Sequence, residues 1–169
     1  MFRPRLRIRE SGKIRDRIVP AGNTHVNLIR VWIENYGFGM RARECSVYLD
    51  SITFRDKIIE NESSPLRWTD INNYEPQTVT WGKATMMPVD LCEVWESDGL
   101  LRVTSRKAQA GGLTRSLSGV YTFDTRTRAL SPVSNDRVLV DVYYDSKGWK
   151  ALKVIGFNTQ RKWPRLWSL

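Results

Sequence analysis

The sequence predicts an all-β fold, an antiparallel two-sheet sandwich with loop insertions and basic terminal segments. Three observations carry that expectation. About eight short runs alternate apolar and polar residues with a period of two, the spacing of strands that bury one face. Clusters of Gly, Pro, Asn, Asp and Ser separate those runs. No stretch shows the 3.6-residue repeat of a convincing amphipathic helix.

The elements follow in order. Residues 2–9 alternate strictly, with Phe2, Pro4, Leu6 and Ile8 against Arg3, Arg5, Arg7 and Arg9. As a strand this has one apolar face and one arginine face, and Pro4 keeps it near a sheet edge. Residues 10–24 are polar and contain the turn cluster Pro20-Ala21-Gly22-Asn23. The clearest pattern spans Leu28 to Ile52. Ile29, Val31 and Ile33 alternate with polar or exposed positions, and Cys45, Val47 and Leu49 do the same. Asn35, Gly37 and Gly39 lie between them, so the pair is expected to fold back as a hairpin around that turn.

Residues 54–78 read as loop, broken by Asn61 to Pro65 and by Asn72 to Pro76. The run at 78–81 is β-prone, and 89–95 is a good strand. Ser97-Asp98-Gly99 turns the chain into a short strand at 100–103. Residues 105–118 lack periodicity and read as a flexible loop, with a turn of helix available to Ala108 to Leu113. A short strand is expected at 120–123. A second hairpin closes the pattern, with strands at 138–144 and 149–157 around Asp145-Ser146-Lys147-Gly148.

A chain of 169 residues with 41% hydrophobic content is long and apolar enough for one domain to fold without metal or disulfide. The expected organisation is a single sandwich over 1–169. Residues 1–17 form a basic first strand and linker, and 158–169 form a basic aromatic tail. The formal net charge of +9 is concentrated at the ends. Residues 1–17 contribute +5, residues 147–169 contribute +6, and the stretch between them carries −2. With only Cys45 and Cys92, the chain is no disulfide scaffold. No apolar core of a signal peptide and no run of transmembrane length appears, so a cytoplasmic protein without membrane association is expected.

Catalytic chemistry finds few residues to work with. His25 is the lone histidine, at the start of a strand. Cys45 and Cys92 fall in apolar strands, where inert thiols are the rule. No metal-ligand spacing and no phosphate-binding loop occurs; Gly111-Gly112 lacks the ending that such a loop needs. Asp90, Glu93, Glu96 and Asp98 read as a solvated strand edge and turn rather than a calcium site. The expectation is a protein with no catalytic residues, no metal and no cofactor.

The run from Leu28 to Leu49 combines an apolar strand, an Asn-x-Gly turn, Ala42, Cys45 and an alternating strand. In this it resembles the immunoglobulin-like sandwich modules of the CARDB type. The closing hairpin at 138–157 is similar to the last strand pair of those modules. The resemblance implies an immunoglobulin-like sandwich acting as an interaction or spacer domain. The order Cys45, Trp68, Cys92 is that of an antibody domain, but Asp90 stands where such a domain has tyrosine.

Two features stand out as candidate contacts. Arg3, Arg5, Arg7 and Arg9 would project from one strand face at intervals of about 6.6 Å. Such a row suits a phosphate backbone, but the reading put first is protection of a sheet edge against aggregation. The second is the C-terminal segment. There Trp149, Trp163 and Trp167 lie among Lys150, Lys153, Arg161, Lys162 and Arg165. Tryptophan and arginine anchor protein interfaces, and they also stack on bases and pair with phosphates. The function expected from sequence is therefore a non-enzymatic protein-interaction or structural accessory module, with a protein partner. The alternative is a nucleic-acid-associated accessory protein that uses the same basic surface. If the two terminal strands shared a sheet, their charges would merge.

Overall fold

The computed structural model describes residues 3–10, 18–21, 24–95, 99–111, 114–115, 117–130, 133–145 and 148–156, with 18–21, 24–25, 109–111, 145 and 148–156 described through the backbone alone. Its strands in chain order begin with β1 (Leu6–Glu10), β2 (Ile18–Ala21), β3 (Thr24–Asn35), β4 (Ala42–Phe54) and β5 (Lys57–Glu60). Short strands β6 (Ser64–Pro65), β7 (Arg67–Trp68) and β8 (Gln77–Val79) follow. The series ends with β9 (Met87–Trp95), β10 (Leu100–Val103), β11 (Thr114–Arg115), β12 (Gly119–Arg128), β13 (Arg137–Asp145) and β14 (Gly148–Gly156). A 3-10 turn at Lys83–Thr85 and a short helix α1 (Arg106–Gly111) complete the described elements.

Two antiparallel sheets pack face to face. The first has the order β1-β3-β9-β10-β11, with β2 also on β3 and β7 also on β9. The second has the order β14-β13-β12-β4-β5, with β6 and β8 also on β4. The all-β sandwich expected from the alternation is the architecture observed. Its core is one cluster drawn from both sheets: Ile29, Val31 and Ile33 from β3, Val89 and Leu91 from β9, Val47, Leu49 and Ile52 from β4, Phe123 from β12, and Val140 and Val142 from β13. Each is at most 2% exposed. Burial of each such side chain is worth about 1.5–3 kcal/mol, which makes this cluster the main driving force for closing the two sheets.

The hairpin expected between 28 and 52 does not form. β3 pairs with β1, β2 and β9, whereas β4 pairs with β5, β6, β8 and β12. Residues 36–41 instead carry the chain from one sheet to the other as an arch. Alternation fixes which side chains point inward, and it is the same for a strand pair side by side and for one face to face. The second expected hairpin is present: β13 and β14 pair from Val138↔Gly156 to Asp145↔Gly148.

Other boundaries shift as well. The segment read as loop at 54–78 contains β5 to β7 and the start of β8, which runs into the stretch read as β-prone, and β2 lies within the stretch read as polar. Each is a strand of at most four residues, too short for alternation to register. The strand expected at 120–123 is the first half of the much longer β12, which continues through Asp124-Thr125-Arg126-Thr127. Thr125 and Thr127 are buried there, so their hydroxyls hid an inward face. Among the described residues, no helix is long and apolar enough to cross a membrane.

Candidate functional site

The arch is built on Asn35, the last residue of β3 and fully buried. Its side-chain Oδ1 accepts from the Arg5 amide at 3.2 Å and from the Gly37 amide at 3.1 Å. Its Nδ2 donates to the carbonyls of Met40 at 2.7 Å and Val79 at 3.1 Å. Its own carbonyl accepts from the Gly82 amide at 3.1 Å. One amide thereby ties together the N-terminal segment, both ends of the arch and the strand leading to Trp81. Gly37 completes the fit. A Cβ built there would lie 2.7 Å from the Arg5 nitrogen and 2.8 Å from the Pro4 Cα, so the N-terminal backbone crosses over a position that only glycine leaves open.

This framework holds large apolar side chains out in solvent. Phe38 is 68% exposed and Trp81 48%, and Tyr36 and Met40 beside them are also exposed. The Phe38 and Trp81 rings meet edge to face, with centroids 5.3 Å apart. The Arg7 guanidinium lies over the Tyr36 ring, 4.7 Å from its centroid. Sequence reading missed this cluster. Tyr36 and Phe38 sit in a segment read for its glycines, and Trp81 closed a run read as β-prone. The signal available was the placing of two aromatics inside a glycine-rich connection, where no strand face exists to bury them.

The arginine strand runs directly beside it. Arg3 and Arg5 are exposed, and their backbones are the atoms that crowd Gly37. Arg7 and Arg9 converge on Glu34 rather than projecting in a free row. Arg7 Nε donates to Glu34 Oε2 at 2.7 Å, and an Arg9 terminal nitrogen donates to the same oxygen at 3.0 Å. Glu34 is 3% exposed, so a nearly buried carboxylate is shared by two guanidinium groups. The hydrogen bond from Arg7 holds the Glu34 carboxyl below its ordinary value, against the opposing effect of burial and with help from the charges of Arg7, Arg9 and Lys83.

A depressed carboxylate stabilises the fold fully above its unfolded value, near pH 4.5, and that contribution is lost as pH falls through the lower folded value. Urea midpoints measured from pH 7 to pH 3 check this. The stability advantage of the wild type over Glu34→Gln should shrink on acidification below that point. An advantage independent of pH would mean that the pair carries no such linkage.

The outer edge of β1 is partly covered by the segment at 134–136. On the side of β1 away from β3, the Leu6 amide donates to the Ser134 carbonyl at 2.8 Å. The Ile8 amide donates to Asp136 Oδ2 at 2.8 Å, and the Ser134 amide donates to the Pro4 carbonyl at 3.0 Å. Segment 134–136 therefore engages part of this edge, which leaves fewer ladder groups there for a partner strand to join.

The first and last strands come together, but not within one sheet. β1 is an edge of the first sheet and β14 an edge of the second, and the two strands lie against each other. Lys150 and Lys153 are on β14, with Lys153 opposite Asp141 in register; their side chains lie outside the described set. Arg161, Lys162, Trp163, Arg165 and Trp167 lie outside the described residues altogether.

The remaining candidates are inert or structural. Cys45 and Cys92 are buried free thiols on opposite sheets. Burial pushes Cys45 up to about 11 and Cys92 well above its ordinary value, which disfavours the thiolate. His25 stands opposite Pro20 in the β2–β3 ladder. Asp90 and Glu93, expected on a solvated edge, are instead held by Arg67. Arg67 sits opposite Asp90 on β7, and the carboxylate is 1% exposed. Glu96 and Asp98 lie outside the described residues. Among the described residues, no group of three or more His, Cys, Asp or Glu side chains could hold a metal ion. No protein-family model, curated protein sequence or solved structure matches this chain.

Proposed function

We propose that this chain is a non-catalytic interaction module that receives an acidic partner on the arch end of the sandwich. The observation that carries the reading is the exposed Phe38–Trp81 pair on a connection that the arginine strand crosses at Gly37 and that the hydrogen bonds of Asn35 fix. A contiguous apolar patch left in water is a recurrent mark of an interaction surface. A patch on a hydrogen-bonded framework has little ordering left to lose when a partner docks. The surroundings state what that partner carries. Segments 3–9, 35–43 and 79–87 contain seven arginines and lysines and no acid. The carboxylate packed among them, Glu34, is already taken by Arg7 and Arg9. The interaction or spacer role implied by a CARDB-type module agrees with this reading.

Retention on an immobilised sulfated polyanion tests the location. Reversal of Arg3, Arg41 and Lys83 to Glu should lower the eluting salt concentration strongly. Reversal of Arg55, Lys57 and Arg106, which lie outside the three arch segments, should lower it much less. Equal effects of the two triple variants would remove the arch end as the contact surface.

A further inference from the structure

Resting on the arch end being the contact surface, we infer that its occupant is a single-stranded nucleic acid. Unpaired bases stack on Trp81 and Phe38, and phosphates meet Arg3, Arg5, Arg41 and Lys83. Cations alone would serve any acidic ligand. What singles out a nucleic acid is that planar π-surfaces and cations occur together within a few residues, on three segments joined at Asn35. Base faces stack on aromatic rings irrespective of sequence, while the backbone carries one phosphate per nucleotide for the surrounding cations. An acidic peptide would match the charge but has no regular supply of flat faces.

The geometry assigns different parts to the rings. Tyr36 has the Arg7 guanidinium on its ring, so it steadies a cation rather than accepting a base. Trp81 and Phe38 are the most exposed of the aromatic side chains at the arch. Their edge-to-face contact sets one ring across the other at an interplanar angle of 64°, so they offer stacking faces in different directions. Two parallel rings would sandwich one base; two crossed rings suit successive bases of a strand that bends. A duplex keeps its base faces covered by neighbouring pairs and gains only the phosphate contacts.

Fluorescence anisotropy with a labelled 15-nucleotide oligothymidylate, its RNA counterpart and a duplex of equal length tests this, across a salt series and with polyglutamate as competitor. The single strands should bind more tightly than the duplex. With about four phosphate contacts, the log–log salt slope should be near −3. Trp81→Ala should weaken single-strand binding roughly tenfold at unchanged melting temperature, Trp81→Phe should restore most of it, and duplex affinity should barely move.

Equal binding of single strand, duplex and polyglutamate, unaffected by Trp81→Ala, would overturn the nucleic-acid assignment and leave a general polyanion surface. Failure of every oligonucleotide to bind, while polyglutamate binds and the triple reversals still differ on the column, would point to an acidic protein instead. Failure of all ligands, with no difference between the triple reversals, would overturn the contact surface itself.

Discussion

Asn35→Ala should destabilise the protein by about 3–5 kcal/mol, measured as the shift in urea or thermal unfolding. The side chain makes four hydrogen bonds, with the amides of Arg5 and Gly37 and the carbonyls of Met40 and Val79. Removing it strands those backbone groups at a buried junction, and each unsatisfied group costs roughly 1–3 kcal/mol before water partly refills the space. For a domain of this size the loss corresponds to a fall in melting temperature of roughly 10 °C. Asn35→Asp sharpens the test. It keeps an acceptor for the two amides but turns a second carboxylate oxygen toward the Met40 and Val79 carbonyls. At neutral pH it should fare little better than alanine. If the aspartate were nearly as stable as the wild type, only the acceptor would matter, and the arch would not depend on the two bonds from Nδ2. The functional readout follows the structural one, because the same amide anchors the backbone beside Trp81. Asn35→Ala should therefore lose oligonucleotide affinity even at temperatures where it remains folded.

Much of the sandwich was legible in the sequence because its long strands alternate cleanly. Ile29, Val31 and Ile33, like Val47 and Leu49, were marked for the core by spacing alone, and all are buried. The closing hairpin was legible too, since Asp145 and Gly148 flank a tight turn between two alternating runs. What alternation does not carry is the identity of the neighbouring strand. The connection after β3 contains turn-forming residues whether it makes a hairpin or an arch. The choice falls to Asn35 and Gly37, whose partners Arg5 and Val79 lie 30 and 44 residues away from Asn35. The site was half legible for the same reason. The arginines of 3–9 could be read from their local order, but their pairing with Glu34 and their closeness to Phe38 and Trp81 come from contacts between distant segments. The tryptophans of the C-terminal segment drew the eye by composition, whereas Trp81 passed as an ordinary strand residue.

Arg67→Ala should cost about 3–5 kcal/mol, for a different reason. Arg67 Nε and Nη2 both donate to Asp90 Oδ2, at 3.1 and 2.9 Å, and Nη2 also donates to Glu93 Oε1 at 2.7 Å. Thr69 Oγ1 donates to the other Asp90 oxygen at 2.6 Å, and Trp95 Nε1 holds Glu93 Oε2 at 3.1 Å. Burial works against the Arg67 charge, but the bonds to Glu93 and Asp90 outweigh it and hold its pKa above the ordinary value. Truncating the guanidinium leaves Asp90 as a buried carboxylate with Thr69 as its side-chain donor among the described residues, the costly way to break such a pair. A double-mutant cycle isolates the effect. Once Arg67 is gone, Asp90→Ala removes a liability rather than a support, so the double variant should be more stable than the sum of the single losses by about 2 kcal/mol. Strict additivity would mean that Asp90 does not depend on Arg67. The comparison with Asn35 then separates stability from recognition. Arg67 touches neither Trp81 nor the 36–41 connection, so Arg67→Ala should bind single strands normally for as long as it is folded. Two variants of similar stability loss and opposite binding outcome would tie recognition to the arch rather than to the sandwich as a whole.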